Sequence, residues 1–167
     1  MSPVYLNNIM GENLLGYATV LYFSSSMNLN IVPSGTITTV PGFLAGAIHS
    51  GIKARNELDL AILYSEVPCT AAGVFTTNRI KSAPVVLSRK HLSKGQARAI
   101  VVNSGCANAC LGKRGLADAS EMARLTAAKL GVPPEDVLVA STGVIGMPLP
   151  MSHVRNGIEK IKLRQGG

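Results

Sequence analysis

The chain has 167 residues, 47% of them hydrophobic and only 15% charged, which fits one domain with a substantial core and excludes intrinsic disorder. Its formal net charge is +7, its aromatic content is 4% with no Trp, and no nucleic-acid motif accompanies the charge, so nucleic acid is not an expected partner. The charge suits a solvated basic surface or, more pointedly, a face for an anionic small molecule or an acidic partner chain.

The first apolar segment, Leu14 to Phe23, is ten residues long, too short to span a bilayer. No basic residue precedes Lys53, so the segment lacks the flanks of a secretory signal or transit peptide, and no membrane association is expected. Met27 reads as a natural start, with residues 1–26 an upstream extension. From Pro41 to Lys53, Gly42, Gly46 and Gly51 space out small apolar residues, the pattern of a strand in close backbone contact with a neighbour. Leu58 to Ser65 is a strand ended by Val67-Pro68, and Ala71 to Thr77 is a second. Asn78 to Ser82 is turn-like and leads into Ala83 to Leu87; Ser88 is placed to cap a short helix through Leu92, stopped by Ser93-Lys94-Gly95.

Ala97 to Asn103 reads as a buried strand running into Ser104-Gly105. The clearest helix spans Leu116 to Leu130, with Ala119, Met122, Ala123, Thr126, Ala127 and Leu130 in one stripe and Gly131 past its end. Pro134-Glu135-Asp136 feeds a strand from Val137 to Ala140, which then stops in Ser141-Thr142-Gly143. Ser152 is placed to cap a last helix, His153 to Arg164, with Val154, Ile158 and Ile161 on one face. Strands and helices interleave, yet some neighbouring strands leave no room for a helix between them. The expected fold is therefore α/β in mixed α+β layers, sheets packed with helices, rather than a strict doubly wound sheet.

Cys69, Cys106 and Cys110 are an odd count and read as reduced thiols of a cytoplasmic protein; Cys106 and Cys110 have no third ligand nearby, so no metal site is expected. Three glycine-punctuated segments stand out: Thr76 to Ile80, Asn103 to Gly112, and Ser141 to Gly146. None fits a phosphate-binding fingerprint, and a tight turn explains each of them taken singly. Such segments also expose backbone N–H groups and hydroxyls with little bulk around them. Two donors aimed at one point can hold an oxyanion, and Thr142 (hydroxyl) with Gly143 (N–H) is the candidate pair. No G-x-S-x-G or H-E-x-x-H is present and His49, His91 and His153 are scattered, so the donors lack an evident nucleophile or base.

Gly73 to Arg89 (GVFTTNRIKSAPVVLSR), Arg98 to Cys110 (RAIVVNSGCANAC), Gly115 to Ala123 (GLADASEMA) and Val137 to Pro150 (VLVASTGVIGMPLP) occur in this order and spacing. Together they closely resemble the N-terminal part of the ornithine acetyltransferase family, the bifunctional glutamate N-acetyltransferases of arginine biosynthesis, from about Val40 to about Lys162. The resemblance implies a precursor that cuts itself before a threonine, which becomes the N-terminal nucleophile of a second chain. That threonine takes the acetyl group from N-acetylornithine and passes it to glutamate; some members also use acetyl-CoA as donor, and no other cofactor is implied. In the S-T-G-V-I-G segment the family's oxyanion donors fall on Thr142 and Gly143.

The family's later lysine- and glycine-rich stretch and its Met-Ala-Thr cleavage site are not in this sequence, and Ala18-Thr19 lies on the wrong side of every motif. Residues 27–167 are thus expected to be a portion of the first, alpha chain, cut short before the self-cleavage site and completed by a beta chain, as a heterotetramer in the whole enzyme. Cys106 stands where asparagine is the more common family residue. The alternative is a catalytically inactive fragment, a structural or interaction module whose exposed strand edges promote aggregation.

Overall fold

The computed structural model describes residues 32–166, and the compact unit that carries the sheet begins at Ser34. The extension expected over residues 1–26 lies outside the described residues. In chain order the unit contains β1 (Phe43–Ile48), β2 (Leu60–Thr70), α1 (Ala83–His91), a 3-10 turn (Leu92–Lys94), β3 (Gln96–Cys106), α2 (Gly112–Leu130), a second 3-10 turn (Pro134–Asp136), β4 (Val137–Val144) and α3 (Met151–Lys160). The strands form one four-stranded sheet in the order β1-β2-β3-β4. β1 with β2 and β2 with β3 are antiparallel, while β3 and β4 are parallel. A parallel pair needs a crossover, and α2 supplies it. The expected mixed α/β class is what the chain adopts.

Side chains alternate across a strand, so each strand offers one set of positions to the core. Leu60, Ile62, Ala99, Val101, Val137 and Val139 face the helices and are nearly inaccessible. They pack with Ala119, Met122, Ala123 and Ala127 of α2 and with Val154 and Ile158 of α3 in a single apolar cluster. The stripe read from the sequence is therefore the buried face of α2, whose C-terminus closes on Gly131 in the left-handed region (φ 67°). The alternate positions Ala61, Leu63, Ile100, Val102 and Leu138 point the other way and are only half-buried.

Several local expectations are corrected. Val67-Pro68 does not end β2: the strand continues to Thr70 through a register irregularity between Tyr64 and Cys69, the kind of interruption that tolerates proline within a sheet. Arg98 stitches this stretch, donating to the Ser65 and Glu66 carbonyls at 2.9 and 2.6 Å and to the Tyr64 hydroxyl at 2.8 Å. Ala71 to Thr77 is not a strand, because it has no pairing partner in the sheet. Ala83 to Leu87 is the body of α1 rather than its lead-in, with Pro84 in the first turn, where its missing N–H is harmless. The last helix begins at Met151, without a side-chain cap from Ser152, and ends at Lys160.

Ser88 caps nothing. It is buried, its hydroxyl donates to the Val139 carbonyl at 2.7 Å, and it accepts from the Val139 N–H at 2.8 Å. His91 Nδ1 lies 2.8 Å from the Val137 carbonyl, an acceptor, so the ring donates. α1 thus occupies the outer edge of β4 and takes the place of a missing strand. At the opposite edge, Arg164 pairs with Ala45 through two backbone hydrogen bonds of 3.0 Å. Gly46 lies beneath this segment, where a Cβ would collide with the Lys162 carbonyl oxygen. No helix among the described residues is long and apolar enough to cross a membrane.

Candidate active site

The parallel pair continues further than the sequence suggested. β4 does not stop at Ala140 but runs through Ser141, Thr142 and Gly143 to Val144. In the ladder Asn103 stands opposite Ser141, Ser104 opposite Thr142, Gly105 opposite Gly143, and Cys106 opposite Val144. Two of the three glycine-punctuated segments are therefore one structure, the paired carboxyl ends of two parallel strands, where ligands of open α/β sheets are received. The third, Thr76 to Ile80, reaches the tail of the second across a cleft of about 330 Å³ lined by Ile80, Lys81, Asn108, Cys110 and Leu111, among others.

Both central glycines have positive φ, 105° at Gly105 and 127° at Gly143. A Cβ at Gly143 would come within 2.6 Å of both the Cys106 nitrogen and the Gly105 carbonyl oxygen. Glycine at this position is thus required twice, by backbone conformation and by the approach of β3. Thr142 and Gly143 are exposed. The loop beyond them is tied back to β3: Ala107 N–H donates to the Val144 carbonyl at 2.9 Å, Gly146 N–H to the Ala109 carbonyl at 3.1 Å, and the buried Cys106 thiol to the Met147 carbonyl at 3.0 Å. The Cys106 thiol therefore makes a structural bond here.

Beneath the exposed pair lies a buried polar layer. Asn103 is fully buried and donates through Nδ2 to the Cys106 carbonyl at 2.9 Å. Its Oδ1 and the neighbouring Ser141 Oγ have no hydrogen-bond partner among the described residues. Such groups are rare inside folded proteins and call for a specific role.

Asp59, which sequence reasoning passed over, fixes the third wall. It is 2% exposed and accepts from Ser50 N–H and Ser50 Oγ at 2.7 Å each, Lys53 N–H at 3.0 Å and Gly51 N–H at 3.1 Å. Burial pushes its carboxyl upward, but the bonds from the Lys53 and Ser50 backbone and the Ser50 hydroxyl outweigh this and hold it below its ordinary value. The clamp sets Ile52 and Lys53 over Gly105, where an added Cβ would lie 3.1 Å from Ile52 Cγ2 and from Lys53 Cγ. The available signal was an acid between Leu58 and Leu60 at the head of an apolar strand.

The ArgJ family model matches residues 44–165. The arginine biosynthesis bifunctional protein ArgJ of Dehalococcoides mccartyi is 54% identical over 140 residues, which are 83% of this chain and 35% of that protein. ArgJ 1 of Clostridium acetobutylicum is 53% identical over 132 residues, 79% of this chain and 32% of that one. The crystal structure of ArgJ from Bacillus halodurans aligns with a TM-score of 0.77 at 41% identity, over 80% of this chain and 70% of the other. Ornithine acetyltransferase of Mycobacterium tuberculosis, complexed with ornithine, gives 0.78 at 39% identity, over 81% and 74%. The chain spans about a third of the length of these curated relatives.

Proposed function

The chain belongs to the ArgJ family, and we propose that it supplies the oxyanion-binding part of an enzyme that transfers acetyl from N-acetylornithine to glutamate in arginine biosynthesis. One observation carries this reading. Thr142 and Gly143 sit exposed at the carboxyl end of β4, held in register against Ser104 and Gly105 by a parallel ladder. Donors for a developing oxyanion must be fixed before the reaction begins, and a strand pair fixes them better than a free loop.

In this reading a threonine hydroxyl of a second, beta chain attacks the acetyl carbonyl, and that threonine's α-amine, with a pKa near ~8, takes the proton. The tetrahedral oxyanion is held by Thr142 Oγ1–H and Gly143 N–H. Its collapse breaks the C–N bond and releases ornithine, whose amine recovers the proton. The glutamate amine then attacks the acetyl-threonine ester; its proton passes through the α-amine to the threonine oxygen as the ester C–O bond breaks, which releases N-acetylglutamate and restores the threonine hydroxyl. Acetyl-CoA can replace N-acetylornithine as donor in the first step. The whole enzyme is proposed to be a cytoplasmic heterotetramer of alpha and beta chains.

The test is acetyl transfer by the chain alone and after co-expression with the remaining C-terminal portion of the Dehalococcoides mccartyi relative. Transfer is expected only from the co-expressed form, and Thr142→Ala should then lower kcat by roughly 10²–10³. An unchanged kcat in that variant would remove Thr142 from the reaction. Absence of transfer in both forms would favour the alternative, an inactive structural module.

A further inference from the structure

A threonine hydroxyl carries one proton and two lone pairs, and it stabilises an oxyanion only when that proton points at it. We infer that Ser104 is a positioning residue that donates to Thr142 Oγ1 and so turns the threonine proton towards the oxyanion, a role that rests on the acetyl-transfer reading of this strand pair. Ser104 is the ladder partner of Thr142, and adjacent strands lie ~4.8 Å apart, within reach of two short hydroxyl side chains. The two side chains share a face. Along both strands the faces alternate: Asn103 and Ser141 Oγ are buried on the helix side, whereas Ser104 is half-buried and Thr142 exposed. Neither the Ser104 nor the Thr142 hydroxyl makes another hydrogen bond among the described residues, so each is free to take the other.

The backbone sets the direction of the bond. Backbone groups of successive residues point to opposite sides of a strand. Val139 turns its N–H and C=O away from β3, towards Ser88, and Val144 turns its carbonyl towards β3, where it accepts from Ala107 N–H. Gly143 follows Val139 in this alternation, so its N–H points away from β3. Ser104 therefore flanks Thr142 on one side and the Gly143 N–H flanks it on the other. A proton given by Ser104 from the β3 side leaves the threonine's own proton for the Gly143 side, where one oxygen can meet both donors. With the bond reversed, the oxyanion would face a threonine lone pair. Ser104 is itself fixed, because its N–H donates to the Asp59 carbonyl at 2.9 Å and the Asp59 carboxylate is clamped by Ser50, Gly51 and Lys53. The buried acid that the acetyl-transfer chemistry does not use thus holds the serine in register.

The co-expressed form tests the role, and the chain alone tests the contact. In the co-expressed form Ser104→Ala should lower kcat by ~3–10-fold, the worth of one hydrogen bond, with KM for N-acetylornithine unchanged, and Ser104→Thr should restore it. In the Thr142→Ala background Ser104→Ala should change kcat by less than ~2-fold, because the threonine oxygen it acts through is gone. A purely structural serine would give the same loss in both backgrounds. In the isotope-labelled chain alone, three-bond couplings to Thr142 Cγ2 should report a single χ1 rotamer, and Ser104→Ala should average them. Unchanged kcat, an equal loss in both backgrounds, or couplings that Ser104→Ala leaves as they were would overturn the inference. The couplings need no nucleophile, so the two readings fail separately. Rotamer averaging without acetyl transfer by the co-expressed form refutes the enzyme reading alone, and transfer that ignores Ser104→Ala refutes the serine alone.

Discussion

Removing one hydroxyl at Ser88 should unseal the sheet. Ser88 is 7% exposed and serves both backbone groups of Val139, which is itself 4% exposed. In Ser88→Ala the Val139 N–H and C=O lose that partner together. An unsatisfied buried polar group costs about 1–3 kcal/mol, and the alanine methyl recovers part of this by removing a buried hydroxyl, so a net loss of ~2–4 kcal/mol is expected. That is a large share of a typical domain stability of ~5–15 kcal/mol, and it corresponds to a Tm lowered by roughly 5–15 °C. Urea unfolding followed by circular dichroism should show a lower midpoint at unchanged m, since the buried surface is the same. Ser88→Thr, which keeps the oxygen, should lose less. A change below ~0.5 kcal/mol in Ser88→Ala would mean that Val139 finds another partner and that α1 does not hold the edge.

Other substitutions probe the site and its support. Gly143→Ala must place a side chain at φ 127° and against the Gly105–Cys106 backbone; a loss of ~2–5 kcal/mol in denaturant unfolding is expected, whereas Thr142→Ala, at an exposed position, should change stability by less than ~0.5 kcal/mol. Asp59→Asn replaces an acceptor by an amide donor facing N–H groups, and should destabilise the chain by ~2–4 kcal/mol at neutral pH. Because the Asp59 carboxyl is held below its unfolded value of 3.8, its stabilisation is complete above that value and is lost as pH falls through the lower folded value. The parent's Tm should therefore fall more steeply than that of Asp59→Asn between pH ~5 and ~2. Asp118 has the opposite sign. Burial raises its carboxyl, against the partial offset of Arg114, whose Nε lies 4.0 Å from Oδ2, and that buried oxygen has no hydrogen bond among the described residues. Its contribution to stability falls as pH rises from the unfolded to the folded value, so Asp118→Ala should raise Tm at pH ~7, with a gain that shrinks on acidification.

What the sequence disclosed depended on how local each cause was. The α2 stripe, its glycine stop and the β3 core are written in periodicity and capping, and they appear where expected. Ala83 to Leu87 is rich in proline and valine and does not look helical; it is helical because Leu87 and Ser88 are buried against the outer strand, a tertiary cause no short window contains. Ala71 to Thr77 has strand composition, but no strand among the described residues pairs with it. At the candidate site, Thr142 and Gly143 stood out by residue type, but their placement was misread: they lie within a strand, not past its end. Their alignment with Ser104 and Gly105 follows from the parallel register, and Asp59 reaches the site only through the loop it anchors, so neither relation is visible along the chain.

The two hems of the sheet set how this chain would come to associate with copies of itself. A bare strand edge is a template that a second molecule can copy at once. Here Ser88 and His91 cover that template at Val137 and Val139 on one rim, and Arg164 pairs with Ala45 on the other. The rate of strand-to-strand growth along the covered part of β4 is then gated by how often a nine-residue helix lifts off it, a local event that needs no global unfolding. Shelf life and heat tolerance can therefore part company in this protein: a change that loosens α1 would shorten the first well before it moved the second.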